Sequence, residues 1–150
     1  MLIRKNIISL IILVLLVSSC LGPENNPEVV LKKFIHMQFN GKLTRKDVLK
    51  KTTGELFEEY SKMTDETFDQ LFLQKNLIKK RLKVSFKKCG DNRCSITFSI
   101  TYDVTNNKKI INKVETKKMA SLVKDDESGW KIEKIVNLKS YFENSPIEIK

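Results

Sequence analysis

The hydrophobic periodicity of this chain changes once, and that change limits the folds open to it. From residue 27 to about residue 80, apolar residues recur at the three-to-four spacing of α-helices. Beyond that point apolar and polar residues alternate one by one, as in half-buried strands; the alternating apolar residues are Leu82, Val84, Phe86, Ile96, Phe98, Ile100, Tyr102 and Val104. Helices followed by strands predict an α+β fold with N-terminal helices packed on an antiparallel sheet of about four strands.

Residues that favour helix ends divide the first half of the chain into four helical segments. Pro suits the first turn, glycine suits a helix end, and a Thr followed three residues later by an acid approximates a capping box. The residues concerned are Pro27, Gly41, Thr44 with Asp47, and Thr64 or Asp65. A further apolar face, from Leu56 to Met63, predicts the third segment.

The strands are predicted to be joined by three tight turns, at residues 89–94, at Asn106–Asn107 and at residues 125–129. The last strand begins at Trp130, and its apolar residues slip phase at Ile135 and Val136. A bulge or a strong bend accounts for such a slip.

Two cysteines flank the first turn. Phe86 is expected to share the core face with Ile96 or Phe98, so directly opposed residues should have numbers with an even sum. The numbers of Cys89 and Cys94 have an odd sum. A Cys89–Cys94 disulfide, which we favour over free thiols, therefore requires a bulge near Gly90 or a ladder that ends before the cysteines.

The N-terminus has the pattern of a secretory signal peptide: basic residues at 4 and 5, an apolar run over residues 6–17, and small residues at 18–20. The run is shorter than the roughly 20 residues that a membrane span needs. Val17-Ser18-Ser19-Cys20 resembles a bacterial lipobox, which implies cleavage after residue 19 and lipid on Cys20. The alternative is a secreted protein with a chance cysteine. We therefore divide the chain into a leader (1–19), a tether (20–26) and one domain (27–150).

Net charge and cysteine content limit the classes of binding partner and of metal site that this chain is expected to have. The formal charge is +10, which favours anionic surfaces. We expect Lys83 and Lys87 on the outer face of the first strand, and Lys113 and Lys117 on the third, to face anionic lipid or an acidic envelope protein. The alternative is a solvated lysine face. Nucleic acid is not expected, because no aromatics alternate with these lysines to stack bases. Two thiols and the single His36 are too few for a metal site.

Two stretches resemble the nuclear-transport-factor-2-like superfamily: residues 27–34 resemble its opening helix, and residues 129–132 a strand after its last hairpin. The resemblance implies a bent, cone-like sheet around the first helix with an internal pocket. Some members, such as ketosteroid-isomerase-like and polyketide-cyclase-like enzymes, transfer protons; many others bind ligands or partners.

The polar residues of this chain favour binding of ligands or partners over proton transfer. Asp103 should point away from the core and His36 lies on the polar face of its helix, while Tyr102 and Gln38 are better explained by packing or capping. No catalytic signature is present, and no cofactor is expected. We predict a lipid-anchored, non-catalytic binding or accessory protein of the bacterial envelope. Leu21, in place of the Asp that often follows an inner-membrane lipobox, favours the outer membrane. The alternative is a small-pocket enzyme of the isomerase or cyclase type.

Overall fold

The described chain consists of helices followed by a single sheet. The computed structural model describes residues 25–73 and 76–144, so the predicted leader and Cys20 lie outside the described residues. The elements are α1 Pro27–Phe39, α2 Arg45–Lys51, α3 Gly54–Lys62, α4 Asp65–Phe72, β1 Leu77–Cys89, β2 Arg93–Asn106, β3 Lys109–Asp125 and β4 Gly129–Asn144. This set of elements confirms the α+β class.

Side chains cap the starts of α1, α2 and α4, whereas the start of α3 has no side-chain cap. The side chain of Asn26, which the sequence analysis did not identify, accepts hydrogen bonds from the amides of residues 28 and 29 at the start of α1. Thr44 and Asp47 form the predicted capping box of α2, and Thr64 caps α4. Because each cap satisfies amide groups that have no partner inside the helix, the chain can make short helices in close succession.

The sheet has the strand order β1-β2-β3-β4, and every neighbouring pair is antiparallel. We call the side that carries Ile96, Phe98 and Ile100 the helix-facing side, because these residues are buried in one cluster with residues of all four helices. The other side, which carries Ser99 and Thr101, is called the outer side. The helices contribute Val30, Leu31, Phe34, Ile35, Val48, Leu56, Tyr60, Phe68 and Phe72 to the cluster.

A bulge in β1 overturns part of the predicted register. Val84 pairs with Phe98 but Phe86 pairs with Thr97, so Ser85 is an extra residue on β1. Each residue beyond the bulge therefore lies on the side opposite to the one expected from strict alternation. Phe86, predicted to be in the core, lies on the outer side and is 58% exposed.

The same bulge corrects two further predictions. Lys87, predicted on the outer face, pairs with the buried Ile96, and its Nζ lies 3.1 Å from Oε2 of Glu28 in α1. Cys89 is the direct partner of Cys94, with the two Cα atoms 4.0 Å apart and the sulfurs at disulfide distance. A bulge is one of the two arrangements that parity allowed, but it lies at Ser85 and not near Gly90 as predicted.

β4 contains bulges, which are one of the two predicted explanations for the phase slip in its sequence. Two register shifts against β3 leave Glu133 and Leu138 without direct partners. Near the first shift, the amide of Thr53 donates to the carbonyl of Ile132 at 2.9 Å. The segment between α2 and α3 therefore covers this part of an edge strand that would otherwise expose its backbone groups.

Asp125 organises the turn between β3 and β4. Its Oδ1 accepts hydrogen bonds from the hydroxyl of Ser128 at 2.7 Å and from the amides of Ser128 and Glu127 at 2.9 and 3.0 Å. The hydroxyl of Ser128 is the main reason that the pKa of Asp125 is lowered to about 2, with the two amides adding to the effect. The turn is therefore stabilised by the ionised form of the carboxyl group.

We expect Asp125→Ala to lower the free energy of unfolding at pH 7, because three donors lose their acceptor. The Asp125 contribution is present above its unfolded pKa of 3.8 and is lost as pH falls through about 2. The difference between the variant and the native chain should therefore shrink over that interval in urea unfolding curves. Asp126→Ala is the matched control, since Asp126 is exposed in the same turn. A difference that is constant with pH would contradict the assignment.

Candidate functional site

The outer side of the sheet carries a row of lysines that crosses all four strands. Opposed residues in the register form the row Lys83, Ser99, Lys117 and Lys139. Lys117 and Lys139 are direct neighbours across β3 and β4, and like charges in that position destabilise a sheet. The row therefore concentrates positive charge that the fold itself does not favour.

An apolar row lies beside the lysine row on the outer side. It consists of Phe86, Thr97, Met119 and Val136. On the other flank Tyr141 is 54% exposed, and the Nζ of Lys139 lies 4.6 Å from the centre of its ring. Exposed aromatic rings next to lysines combine apolar area with charge, as membrane interfaces require.

Acidic residues also lie on the outer side. Glu115 pairs with Thr101 and Tyr141 in the row next to the lysine row. Asp103 is 3% exposed, and its Oδ2 lies 3.1 Å from the Nζ of Lys80. In the register Lys113 lies between Asp103 and Glu143. Of the four lysines named from sequence, only Lys83 and Lys117 thus belong to the lysine row. Lys113 faces acids, and Lys87 pairs with α1 on the opposite side of the sheet.

The structure also places the residues that were weighed as chemical candidates. His36 is exposed, with its ring nitrogens 3.0 Å from Nδ2 of Asn40 and 3.4 Å from Nζ of Lys79. Tyr102 lies on the helix-facing side, with its ring centre 5.6 Å from that of Phe39. Asp103 lies on the outer side as expected, although it is buried. These residues are therefore dispersed and do not form one site.

The helix-facing side carries a polar cluster that was not predicted from the sequence. Thr116 pairs with Ile100 and Ser140, and Lys118 pairs with Phe98 and Asn137. Nδ2 of Asn137 lies 3.1 Å from Oγ of Ser140, which joins the two rows. We call Thr116, Lys118, Asn137 and Ser140 the polar cluster. The signal was the even-numbered series Val114, Thr116, Lys118, Ala120 and Leu122, whose apolar ends mark the side that faces the helices.

Lys118 is the charged member of the cluster. Burial of the side chain lowers its pKa below the ordinary lysine value of 10.5. Among residues 25–73 and 76–144, no carboxylate forms an ion pair with it. The ammonium group therefore loses solvation without gaining a partner.

We expect Lys118 to titrate below the ordinary lysine value of 10.5 in an NMR titration of the lysine side chains. Because the unfolded chain would hold the proton up to 10.5, the free energy of unfolding should rise with pH between the two pKa values. Lys118→Met should remove that rise and stabilise the protein at neutral pH, whereas Lys117→Met, on the other side of the same strand, should leave the rise in place. A Lys118 pKa at or above 10.5 would reject the assignment.

The described residues also bear on metal binding and on membrane crossing. The residues that the structure describes contain no group of three or more metal-ligating side chains. Within the same residues, none of the helices combines the length and the apolar composition needed to cross a bilayer.

Neither protein-family models nor curated proteins nor solved structures give a match to this chain.

Proposed function

We propose that this chain is a bacterial envelope lipoprotein whose outer sheet surface binds anionic membrane lipid. In this proposal residues 1–19 are removed, Cys20 is acylated, and residues 20–26 tether a cone-like, non-catalytic domain to the membrane. The outer membrane is the favoured location. The observation that carries the proposal is the lysine row, because its charges meet no acid along that row.

Charge complementarity identifies anionic headgroups as the partner. A lysine near an anionic bilayer gains about 1 kcal/mol, and bringing phosphates to the row also relieves repulsion between Lys117 and Lys139. The exposed rings of Phe86 and Tyr141 flank the row and can enter the boundary between headgroups and acyl chains. Their position beside the cations favours a lipid surface over an acidic protein.

The tether keeps this surface near the bilayer. Asn25 accepts a hydrogen bond from Nε1 of Trp130 at 3.2 Å, so the chain is fixed to the domain at that point. Five residues from Cys20 to Asn25 span at most roughly 18 Å. An acylated Cys20 would thus hold the domain within about one molecular diameter of the headgroups, where weak ionic contacts act at high effective concentration.

A vesicle flotation experiment tests the surface. Unacylated residues 21–150 should float with vesicles that contain phosphatidylglycerol and should be released by salt. Replacing Lys83, Lys117 and Lys139 with Gln should weaken binding by roughly 100-fold, from about 1 kcal/mol per lysine. Replacing the exposed Lys42, Lys46 and Lys50 with Gln removes equal charge from the helical layer and serves as the control. Equal losses in both triple variants would show that net charge alone is responsible.

The lipid anchor has its own test. Cys20→Ala should abolish incorporation of labelled fatty acid and release the protein from membranes, because no acylation site would remain at the predicted cleavage point. A variant with Ser at Cys89 and Cys94 retains only Cys20 and should still be labelled. A Cys20→Ala protein that stays unprocessed in the membrane would identify the leader as a permanent span instead.

A pocket enzyme of the isomerase or cyclase type is the second candidate, and Lys118 is the observation that favours it. An amine on the helix-facing side with a lowered pKa is suited to accept a proton. Ketones with exchangeable α-protons provide the test, with deuterium uptake from D₂O as the readout. Uptake that Lys118→Met abolishes would support the enzyme; uptake that is the same with and without the protein would reject it.

A further inference from the structure

The polar cluster lies on the helix-facing side, next to apolar residues that this side buries. Its members come from two neighbouring strands and occupy two successive rows of the register. The next row, beyond Thr116, consists of Tyr102, Val114 and Phe142 in β2, β3 and β4, with Lys79 as its member in β1. Polar groups and apolar groups thus adjoin each other on one continuous surface of β3 and β4.

Two members of the cluster lack the partners that their burial requires. The hydroxyl of Thr116 is buried and makes no hydrogen bond, and the residue is only 6% exposed. Lys118 is partly buried and has neither an ion pair nor a hydrogen bond among the described residues. A buried polar group without a partner destabilises the folded state, so an acceptor that reached both groups would remove that cost.

The row of Tyr102, Val114 and Phe142 has an exposed member. Val114 is 2% exposed and Tyr102 packs against Phe39, but the Phe142 side chain is 71% exposed. A phenylalanine this exposed beside a buried valine offers apolar area to a ligand. The surface therefore presents a cation and a hydroxyl donor next to apolar side chains.

We propose that the polar cluster binds the carboxylate of an amphiphile whose apolar chain lies along the row of Tyr102, Val114 and Phe142. Lys118 pairs with the carboxylate and the hydroxyl of Thr116 donates to it, while Asn137 and Ser140 border the same site. This site is independent of the proposed membrane surface, because Lys117 and Lys118 lie on opposite sides of the sheet. Loss of one binding activity leaves the other intact.

Octanoate is a suitable probe because it joins a carboxylate to a short apolar chain and is soluble in water. The processed, acylated full chain is placed in nanodiscs of phosphatidylcholine, and amide NMR shifts are recorded during the titration. Saturable shifts centred on Thr116 and Lys118 are expected, and the Lys118 pKa should rise on binding. Octan-1-ol, which lacks the carboxylate, and acetate, which lacks the chain, should each bind at least about tenfold more weakly.

Variants separate the site from partition of the probe into the lipid. Lys118→Met should weaken octanoate binding by about tenfold or more, whereas Lys117→Met should leave it unchanged. Thr116→Val, which keeps the shape of the side chain, should weaken binding without lowering the melting temperature, since the hydroxyl has no partner in the free protein. The absence of saturable shifts, equal binding of octanol, or equal affinities for the Lys118 and Lys117 variants would overturn the proposal.

Discussion

The extra residue at Ser85 in β1 decides which side chains reach each side of the sheet beyond that point. Successive strand residues point to opposite sides, so one unpaired residue reverses every side chain that follows it. Beyond Ser85 this reversal brings Phe86 to the outer side, next to the lysine row, and turns Lys87 toward Glu28 at the start of α1. It also places Cys89 directly opposite Cys94. An apolar residue on the proposed membrane surface, a contact between helix and sheet, and the disulfide geometry all follow from one local irregularity.

The ion pairs of Glu28 show how α1 is held against the sheet. This carboxylate lies 2.7 Å from the Nζ of Lys32 and 3.1 Å from that of Lys87, and the hydrogen bond from Lys32 is the larger cause of its lowered pKa. Ion pairs of this partly exposed kind contribute little energy by themselves. The buried apolar face of α1 provides most of the attachment, and the Glu28–Lys87 ion pair adds a contact to β1.

Lys117 and Lys118 are adjacent in β3 but lie in different environments on the two sides of the sheet. Lys117 lies in the lysine row and is solvated, whereas Lys118 is surrounded by the helix-facing side and loses solvation. Exclusion of water without a compensating partner disfavours the ammonium form and so lowers the pKa of Lys118. The proposed membrane surface and the proposed carboxylate site can therefore share one strand while remaining physically separate.

The sequence by itself determined the α+β class, the capping of α2 by Thr44 and Asp47, the hairpin turns, and an irregularity in β1 and in β4, because these features depend on near neighbours and on parity. Only the tertiary structure decided that the β1 irregularity is a bulge at Ser85, that Lys87 faces α1, that Lys113 faces acids, and that Thr116 and Lys118 share a cluster with Asn137 and Ser140. Those outcomes depend on cross-strand register, which is set by packing over long sequence distances.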